Sequence, residues 1–342
     1  MNMQRVILGV LKNLPSPLVQ LLAGPPVTID GYTLDANMQL LGKMAAGAPA
    51  PENIEAMRAG VRDMCLSTNE PRRAGIESYD TIWHGDGAPL SVRVYAPTQI
   101  ADDTAPAILF FHQGGLVLMD VDSDDSFCTV LADECQARVI SLEYRLCPEH
   151  AFPAAIDDAL SLWQYVQDHA AELNIDPKRV AVAGDSAGGL LAANVCLKVK
   201  ARRTKTQPVA QLLVYPWVST DLQETGSLVS CAECFPLNSQ TMDLFNAMVF
   251  PDGKLLNSPL ANPLKAKSVK GLPPAIIATA GFDPIRDQGN AYAERLKEAG
   301  NDVTHFCFGH LTHSFLIMGN VSKAAQLASA QLARTLATAL RD

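Results

Sequence analysis

The sequence has no run of basic residues and no apolar stretch of membrane-spanning length. Its 27 lysines and arginines are outnumbered by 36 aspartates and glutamates, which gives a formal net charge of -9. Nucleic-acid binding requires a concentrated basic surface, so this class of function is excluded. A helix that crosses a membrane needs about 20 consecutive apolar residues, so we expect no stable membrane insertion.

Cysteines are too sparse for a disulfide-stapled domain, since only eight are scattered over 342 residues. Cys231 and Cys234 have the spacing of a redox or metal-binding pair, but no second pair accompanies them. The apolar run 6–11 is short, ends at Lys12 and precedes no clear cleavage site, so a signal peptide is the minor alternative. We therefore expect a reducing, cytoplasmic location.

Internal repeats and low-complexity segments are also absent, and the chain divides into two unequal parts. Residues 1–73 contain no evident strand and indicate helices interrupted by prolines. Leu34, Met38 and Leu41 recur there at helical spacing, and Asn53 opens a further helix. Of the 342 residues of the chain, 48% are hydrophobic, which is enough to bury a sizeable core.

From residue 74 onwards, short strands alternate with helices. Residues 90–95 alternate apolar and polar side chains, and residues 85–87 mark a hairpin before them. This alternation predicts an α/β fold, with a mostly parallel central sheet that helices cover on both faces. Helices are expected from about 153, over 287–299 and over 323–340. Six apolar runs indicate strands buried on both faces: 107–111, 138–142, 179–183, 211–215, 275–280 and 303–308.

Residues 184–189, Gly-Asp-Ser-Ala-Gly-Gly, stand between a β-prone run and an apolar helical stretch. A serine at such a strand-to-helix turn is held in a strained backbone position with its hydroxyl exposed. The helix N-terminus aims unpaired N–H groups at the same point. Ser186 is therefore predicted to be a nucleophile, with a glycine-rich structural turn as the alternative.

A serine hydroxyl needs a base that takes its proton and an acid that orients the base. In a doubly wound sheet, these groups lie on loops at the C-terminal ends of strands. Asp283 and His313 occupy such loops, so we predict that they are the acid and the base. Helix capping is the alternative role of Asp283, and Asp287 is the competing acid.

Three histidines raise the alternative of a zinc site, namely His305, His310 and His313. No acidic ligand is adjacent to them, so we expect no metal. Residues 112–115, His-Gln-Gly-Gly, follow the predicted strand 107–111 and expose backbone N–H groups. With the N–H of Ala187 they can donate to an oxyanion, although a plain tight turn is the alternative. The order of oxyanion loop, serine, aspartate and histidine is the one expected for α/β-hydrolases.

Over nearly its whole length, the sequence resembles the hormone-sensitive-lipase-like branch of α/β-hydrolases, which includes many bacterial carboxylesterases. Residues 184–189 match the serine motif of that branch, and residues 283–287 resemble its acid motif. Residues 313–315, His-Ser-Phe, resemble its histidine motif, which is usually His-Gly-Phe. Residues 144–154 resemble a further stretch, with Cys147 where alanine is usual. The resemblance implies the triad Ser186, Asp283 and His313 and no cofactor.

The clearest departure from the family lies in the oxyanion loop, where His-Gly-Gly-Gly is usual. Gln113 replaces the first glycine, whereas the resemblance assigns the donors to Gly114 and Gly115, which are kept. If the first position requires a positive φ, Gln113 adds about 1 kcal/mol of strain. We expect Gln113 to change rate and selectivity and to leave the reaction class unchanged.

A helical cap over the site is a further implication of the resemblance. Residues 1–73 fit this cap and residues 74–342 the catalytic domain, with a second cap segment at about 221–255. Ordinary helix packing is the alternative role of the apolar residues in that segment. The resemblance leaves the oligomeric state open, with a homodimer as one option. The candidate substrate-binding residues are Gln113, Asp185, Phe235, Leu244 and Phe245.

These features predict a serine carboxylesterase that cleaves short- to medium-chain esters of small molecules through an acyl-enzyme. An amidase, a lactonase or a deacetylase of the same hydrolase class is one alternative. A non-catalytic small-molecule receptor on the same fold is another. Receptors related to this branch lack the working histidine, whereas His313 is present here.

Overall fold

The computed structural model describes residues 3–47, 51–85, 87–99, 104–221 and 226–341. The N-terminal segment carries helices α1 (Met3–Leu11), α2 (Ser16–Ala23), α3 (Ala36–Ala45) and α4 (Ile54–Thr68). Within the described part of the chain, no single helix is long and apolar enough to cross a membrane. Only α1 and α2 together, bent by 119°, reach the required length and composition.

A two-residue hairpin interrupts the N-terminal helices, so the expectation of no strand in this segment is wrong. Strands β1 (Thr28–Ile29) and β2 (Tyr32–Thr33) pair antiparallel around Asp30 and Gly31. Both turn residues have positive φ, 51° and 82°, as tight hairpin turns of this kind require. Strands this short contain no apolar alternation from which they could be predicted.

The rest of the chain alternates strands and helices as predicted. Two short 3-10 helices, Pro263–Lys265 and Phe315–Met318, lie among them. The strands and helices follow in chain order: β3 (Ile76–Trp83), β4 (Leu90–Pro97), β5 (Ala105–Phe111), α5 (Asp125–Cys135), β6 (Arg138–Glu143), α6 (Ala154–Asp168), β7 (Ile175–Asp185), α7 (Ala187–Ala201), β8 (Gln211–Val214), α8 (Ser227–Ser230), α9 (Ser239–Val249), β9 (Ala275–Phe282), α10 (Arg286–Glu298), β10 (Val303–Thr312) and α11 (Lys323–Arg341).

Eight strands form one sheet in the order β10-β9-β8-β7-β5-β6-β4-β3. All neighbours from β10 to β6 are parallel, whereas β4 pairs antiparallel with both β6 and β3. The mostly parallel sheet with an antiparallel hairpin at one edge is therefore confirmed. Asp86, in the predicted turn of that hairpin, lies outside the described residues.

Helices cover both faces of the sheet and enclose two hydrophobic cores. One core joins α6, α7 and α10 to the sheet, and the other joins α5 and α11 to it. Strand β5 is buried along its whole length, as expected for a central strand. Strand β10 is only partly buried over residues 303–310, because it forms the edge of the sheet. The prediction of burial on both faces is therefore wrong for β10.

The turn from β7 into α7 depends on an unusually close contact between backbones. A Cβ on Gly188 would lie 1.8 Å from the carbonyl oxygen of Phe111, at the end of β5. A Cβ on Gly184 would lie 2.3 Å from the carbonyl oxygen of Gly188. Both obstacles are main-chain atoms and cannot rotate away, so these two positions require glycine.

Substituting Gly188→Ala is expected to lower the free energy of unfolding by roughly 2–3 kcal/mol or more, because the added methyl group forces strand and helix apart. Gly60→Ala is the matched control, since Gly60 is exposed on α4 and no atom lies within 4 Å of its added Cβ. Alanine there should stabilise by about 0.4–1 kcal/mol. Denaturant unfolding of both variants measures the difference, and equal effects would contradict this account of the turn.

Candidate active site

Ser186 occupies the single residue between β7 and α7. Its backbone has φ 51° and ψ -115°, a strained conformation for a residue with a side chain. Three main-chain hydrogen bonds hold it there: its N–H donates to Val214 O at 2.9 Å, and its carbonyl accepts from Trp217 N at 2.9 Å and from Leu190 N at 3.2 Å. The strained turn predicted from the sequence is therefore confirmed.

His313 and Asp283 extend from Ser186 as a continuous hydrogen-bonded chain. The Nε2 atom of His313 lies 2.9 Å from Ser186 Oγ, and its Nδ1 atom lies 2.8 Å from Asp283 Oδ2. The second oxygen of Asp283 accepts the backbone N–H of Ile285 at 2.9 Å. A carboxylate only accepts, so the hydrogen of the neutral imidazole lies on Nδ1 and Nε2 faces the hydroxyl as an acceptor.

Asp287, the competing acid, lies elsewhere. Its carboxylate accepts from the backbone N–H of Ser227 at 2.8 Å and from the guanidinium of Arg286 at 2.9 Å. These contacts tie α8 to the start of α10. One carboxylate oxygen of Asp283 accepts the backbone N–H of Ile285, and the other contacts His313. Its capping role and its place beside the histidine are therefore compatible.

The glycines of the oxyanion loop adopt backbone conformations that other residues avoid. Gly114 has φ 118° and Gly115 has φ 64°. A Cβ on Gly114 would lie 2.1 Å from the carbonyl oxygen of Leu118, and one on Gly115 would lie 2.4 Å from the ring of Phe245. Ala187 is the first residue of α7, where N–H groups have no partner within the helix.

His112 and Tyr144 support the loop from below. The rings stack with centroids 4.1 Å apart, and Tyr144 OH donates to the carbonyl of His112 at 2.8 Å. Burial lowers the pKa of His112 to about 4, so its imidazole is neutral at pH 7. Its Nδ1 lies 2.7 Å from the carbonyl of Gln113 and donates to it. The carbonyl groups of His112 and Gln113 thus both accept hydrogen bonds from these two side chains.

A cavity of about 150 Å³ opens above Ser186. Helix α4 of the N-terminal segment and helix α9 both contribute to its walls. Most of the surrounding side chains are apolar, which suits an uncharged ligand. The lining residues include Met57, Val61, Met64, Gln113, Gly114, Gly115, Leu118, Met119, Ser186, Trp217, Pro236, Leu237, Met242, Phe245, Ile285, His313 and Ser314.

Only two of the five candidate substrate-binding residues line this cavity, namely Gln113 and Phe245. Leu244 is 40% exposed, because neighbouring residues on a helix point in different directions. Phe235 lies instead in a separate cavity with Val27 and Phe282. The prediction that Leu244 and Phe235 line the substrate pocket is therefore wrong.

Asp185 is the third candidate that the cavity excludes. Its side chain is fully buried behind the nucleophile, where Asp185 Oδ2 accepts from Tyr215 OH at 2.8 Å. Residues on a strand point alternately to opposite sides, so the residue before Ser186 points into the core. Burial and the nearby Asp124 hold the pKa of Asp185 well above its usual range. The prediction of substrate contact is wrong for this residue.

Several cavity residues were not predicted from the sequence. Met57, Val61 and Met64 recur at intervals of four and three, which places them on one face of α4. The sequence shows this periodicity, but periodicity alone does not indicate which part of the structure this face of the helix packs against. Trp217 follows β8 in a loop without any motif, and no local signal pointed to it.

The histidines and cysteines outside the triad do not assemble into a metal centre. His305 lies on β10 beside Thr279, and His310 is exposed on the same strand. Among the residues that the structure describes, no three His, Cys, Asp or Glu side chains form a group that could hold a metal ion. Cys231 and Cys234 are free thiols, and a hydrogen bond from Cys234 lowers the pKa of Cys231 to about 7.

Comparisons with known proteins identify the family of the chain. A family model described as alpha/beta hydrolase fold matches residues 108–317. The chain is 37% identical over 318 residues to the carboxylic ester hydrolase LipN of Mycobacterium tuberculosis, covering 90% of this chain and 84% of LipN. It is 36% identical over 245 residues to an ethyl acetate hydrolase of Pseudomonas putida, covering 70% of this chain and 76% of that enzyme.

Solved structures point to the same family. A crystal structure of an alpha/beta hydrolase enzyme from the metagenome of Lake Arreo, Spain, matches with a TM-score of 0.83 and 33% identity. The match covers 88% of this chain and 95% of that structure. The chain therefore belongs to the hormone-sensitive-lipase-like carboxylesterase family of the α/β-hydrolase fold, and it is a carboxylic ester hydrolase.

Proposed function

We propose that the chain is a serine carboxylesterase that hydrolyses short- to medium-chain esters through an acyl-enzyme. The observation that carries this proposal is the chain of two hydrogen bonds, 2.9 Å and 2.8 Å, from Ser186 through His313 to Asp283. It has the geometry of a nucleophile, a general base and an orienting acid.

In the first half of the reaction, Ser186 Oγ attacks the ester carbonyl while His313 Nε2 takes the hydroxyl proton. Asp283 holds the imidazole in the tautomer that leaves Nε2 free and stabilises the imidazolium that forms. The negative charge that develops on the carbonyl oxygen is met by the N–H groups of Gly114, Gly115 and Ala187. His313 then passes its proton to the alkoxide, and the alcohol leaves.

In the second half, water attacks the acyl-enzyme. His313 accepts a proton from that water, and the same N–H groups stabilise the second oxyanion. Collapse of this intermediate breaks the bond between Ser186 Oγ and the acyl carbon. The proton returns from His313 to Ser186, and the carboxylic acid leaves. No cofactor is required by any of these steps.

Cavity size and lining support the proposed preference for short and medium acyl chains. A volume of about 150 Å³ accommodates a small ester, and the apolar walls favour an aliphatic acyl group. One relative is named for ethyl acetate, which is a short ester.

We also propose that residues 1–73 and about 221–255 form a cap over the catalytic domain 74–342. Support comes from α4 and α9, which contribute Met57 and Phe245 to the cavity walls. Of the second segment, residues 222–225 lie outside the described part of the chain. A reducing, cytoplasmic location and a homodimer remain proposals; all eight cysteines are free thiols, which supports the former.

The first test of the mechanism is Ser186→Ala. Loss of the nucleophile should lower kcat for p-nitrophenyl butyrate by about a million-fold, because the three residues act as a unit. The variant should also fail to react with a fluorophosphonate probe, which labels only an activated serine. Ser161→Ala, half-buried on α6 and outside the lining of the cavity, is the matched control and should behave like the parent protein.

Ester hydrolysis that survives in the Ser186→Ala variant would refute the assigned nucleophile. A parent protein that neither hydrolyses esters nor reacts with the probe would instead favour a non-catalytic receptor on this fold.

The second test concerns acyl-chain length. Phe245→Ala removes a ring from the cavity wall and should raise kcat/KM for p-nitrophenyl octanoate relative to butyrate by about tenfold. Leu244→Ala is the adjacent control and should leave this ratio unchanged, because Leu244 points to solvent. A panel of p-nitrophenyl esters of graded length measures both. If both substitutions change the octanoate-to-butyrate ratio equally, the assignment of Phe245 to the cavity wall is contradicted.

A further inference from the structure

Gln113 and Ser314 bond to each other across the candidate active site. The hydroxyl of Ser314 donates to Gln113 Oε1, and both side chains line the cavity above Ser186. Gln113 belongs to the loop after β5, whereas Ser314 directly follows His313 after β10. Three strands, β7, β8 and β9, separate β5 from β10 in the sheet. The bond therefore joins two loops that the sheet itself holds apart.

Ser314 has a side chain at a position whose backbone conformation favours glycine. Its φ is 61°, and a left-handed conformation costs a residue with a Cβ about 1 kcal/mol. The corresponding position of the family's histidine motif is usually glycine. Such backbone strain persists only where the surroundings enforce it, and here the strained residue aims its hydroxyl at Gln113.

Gln113 is also the exception in its own motif, and its surroundings hold it firmly. It is not among the residues with positive φ, so the strain considered for this position is absent. Its carbonyl accepts from His112 Nδ1 at 2.7 Å and from Tyr144 OH at 3.3 Å. Its side chain is buried, and its Oε1 accepts from the hydroxyl of Ser314. Gln113 is therefore held through its backbone carbonyl by His112 and Tyr144 and through its side chain by Ser314.

The bond lies directly between the groups that must act together. Gly114 and Gly115 follow Gln113 without an intervening residue, and His313 precedes Ser314. A change in the separation of the two loops therefore changes the distance from His313 to the oxyanion donors. Catalytic rates are sensitive to displacements of this kind, since errors of about 1 Å cost up to about a hundredfold.

We propose that Gln113 and Ser314, which we call the clasp, act as positioning residues and also restrict the size of the ester. Through their mutual bond they fix the spacing between the oxyanion donors and His313. The Gln113 side chain fills space beside Ser186 that a glycine would leave open. This inference rests on the proposed esterase function, and it assigns part of the rate and selectivity to a contact between two residues that stand where the family's motifs usually have glycine.

A double-mutant cycle tests the clasp. Ser314→Gly should lower the acylation rate of p-nitrophenyl butyrate about fivefold to tenfold, the effect of one hydrogen bond, without changing KM. Gln113→Gly should lower it by a similar factor and also raise the octanoate-to-butyrate ratio of kcat/KM several-fold. In the double variant the bond is already lost, so its rate should equal that of Gln113→Gly and not the product of both losses.

Asn246→Ala provides the matched control for coupling. Asn246 lines the same cavity from α9 but is not part of the clasp, so its effect should multiply with that of Ser314→Gly. Fluorophosphonate labelling gives the fraction of active protein for every variant. Ser314→Gly is expected to fold, because glycine relieves the strain at φ 61°.

Independent losses in the Gln113/Ser314 cycle, or an unchanged acylation rate in Ser314→Gly, would overturn the positioning role. An unchanged chain-length ratio in Gln113→Gly would overturn the size restriction. Each of these results requires an active parent enzyme. They are therefore distinct from a failure of the proposed function, which the parent protein and Ser186→Ala test directly.

Discussion

The geometry of the site depends on the contact between the end of β5 and the start of α7. The backbone of Gly188 packs against the carbonyl of Phe111, and Phe111 pairs in register with Gly184 across β5 and β7. The chain turns sharply into α7 at Ser186, while the oxyanion loop begins one residue after Phe111. Ser186 and the proposed oxyanion donors are thus set relative to each other by main-chain contacts. No side-chain rotation can alter their separation, which is the condition for preorganised stabilisation of charge.

Asp283 and His313, the proposed acid and base, follow strands β9 and β10. Strand β8 lies between β7 and β9, so a gap of one strand separates Ser186 from Asp283. Tyr215, which follows β8, fills that gap with its ring centroid 4.7 Å from the ring of His313. Its hydroxyl donates to Asp185 at 2.8 Å and accepts the backbone N–H of Leu316 at 3.4 Å. A buried tyrosine therefore joins the turn of the nucleophile to the segment that follows the base.

The sequence predicts those features of the structure whose physical signal lies in neighbouring residues. Buried central strands are continuous apolar runs, and a residue just past such a run lies at the C-terminal edge of the sheet. The predictions of Ser186, Asp283 and His313 rest on this signal, and the structure joins the three side chains by hydrogen bonds. Phe235 and Leu244 were misplaced because cavity lining depends on how α9 and its preceding loop pack against the sheet. The local sequence carries no signal for that packing. The same holds for Trp217 and for the face of α4 that lines the cavity.

The buried carboxyls show how the site remains compatible with a developing negative charge. Burial raises the pKa of Asp124 to about 7, and burial together with the charge of Asp124 holds the pKa of Asp185 well above its usual range. Both shifts favour the protonated carboxyl, because like charges in one buried region oppose each other's ionisation. An anion beneath Gln113 would oppose an oxyanion at Gly114 and Gly115. Both shifts therefore reduce the negative charge that would oppose the oxyanion, while Asp185 still accepts a hydrogen bond from Tyr215.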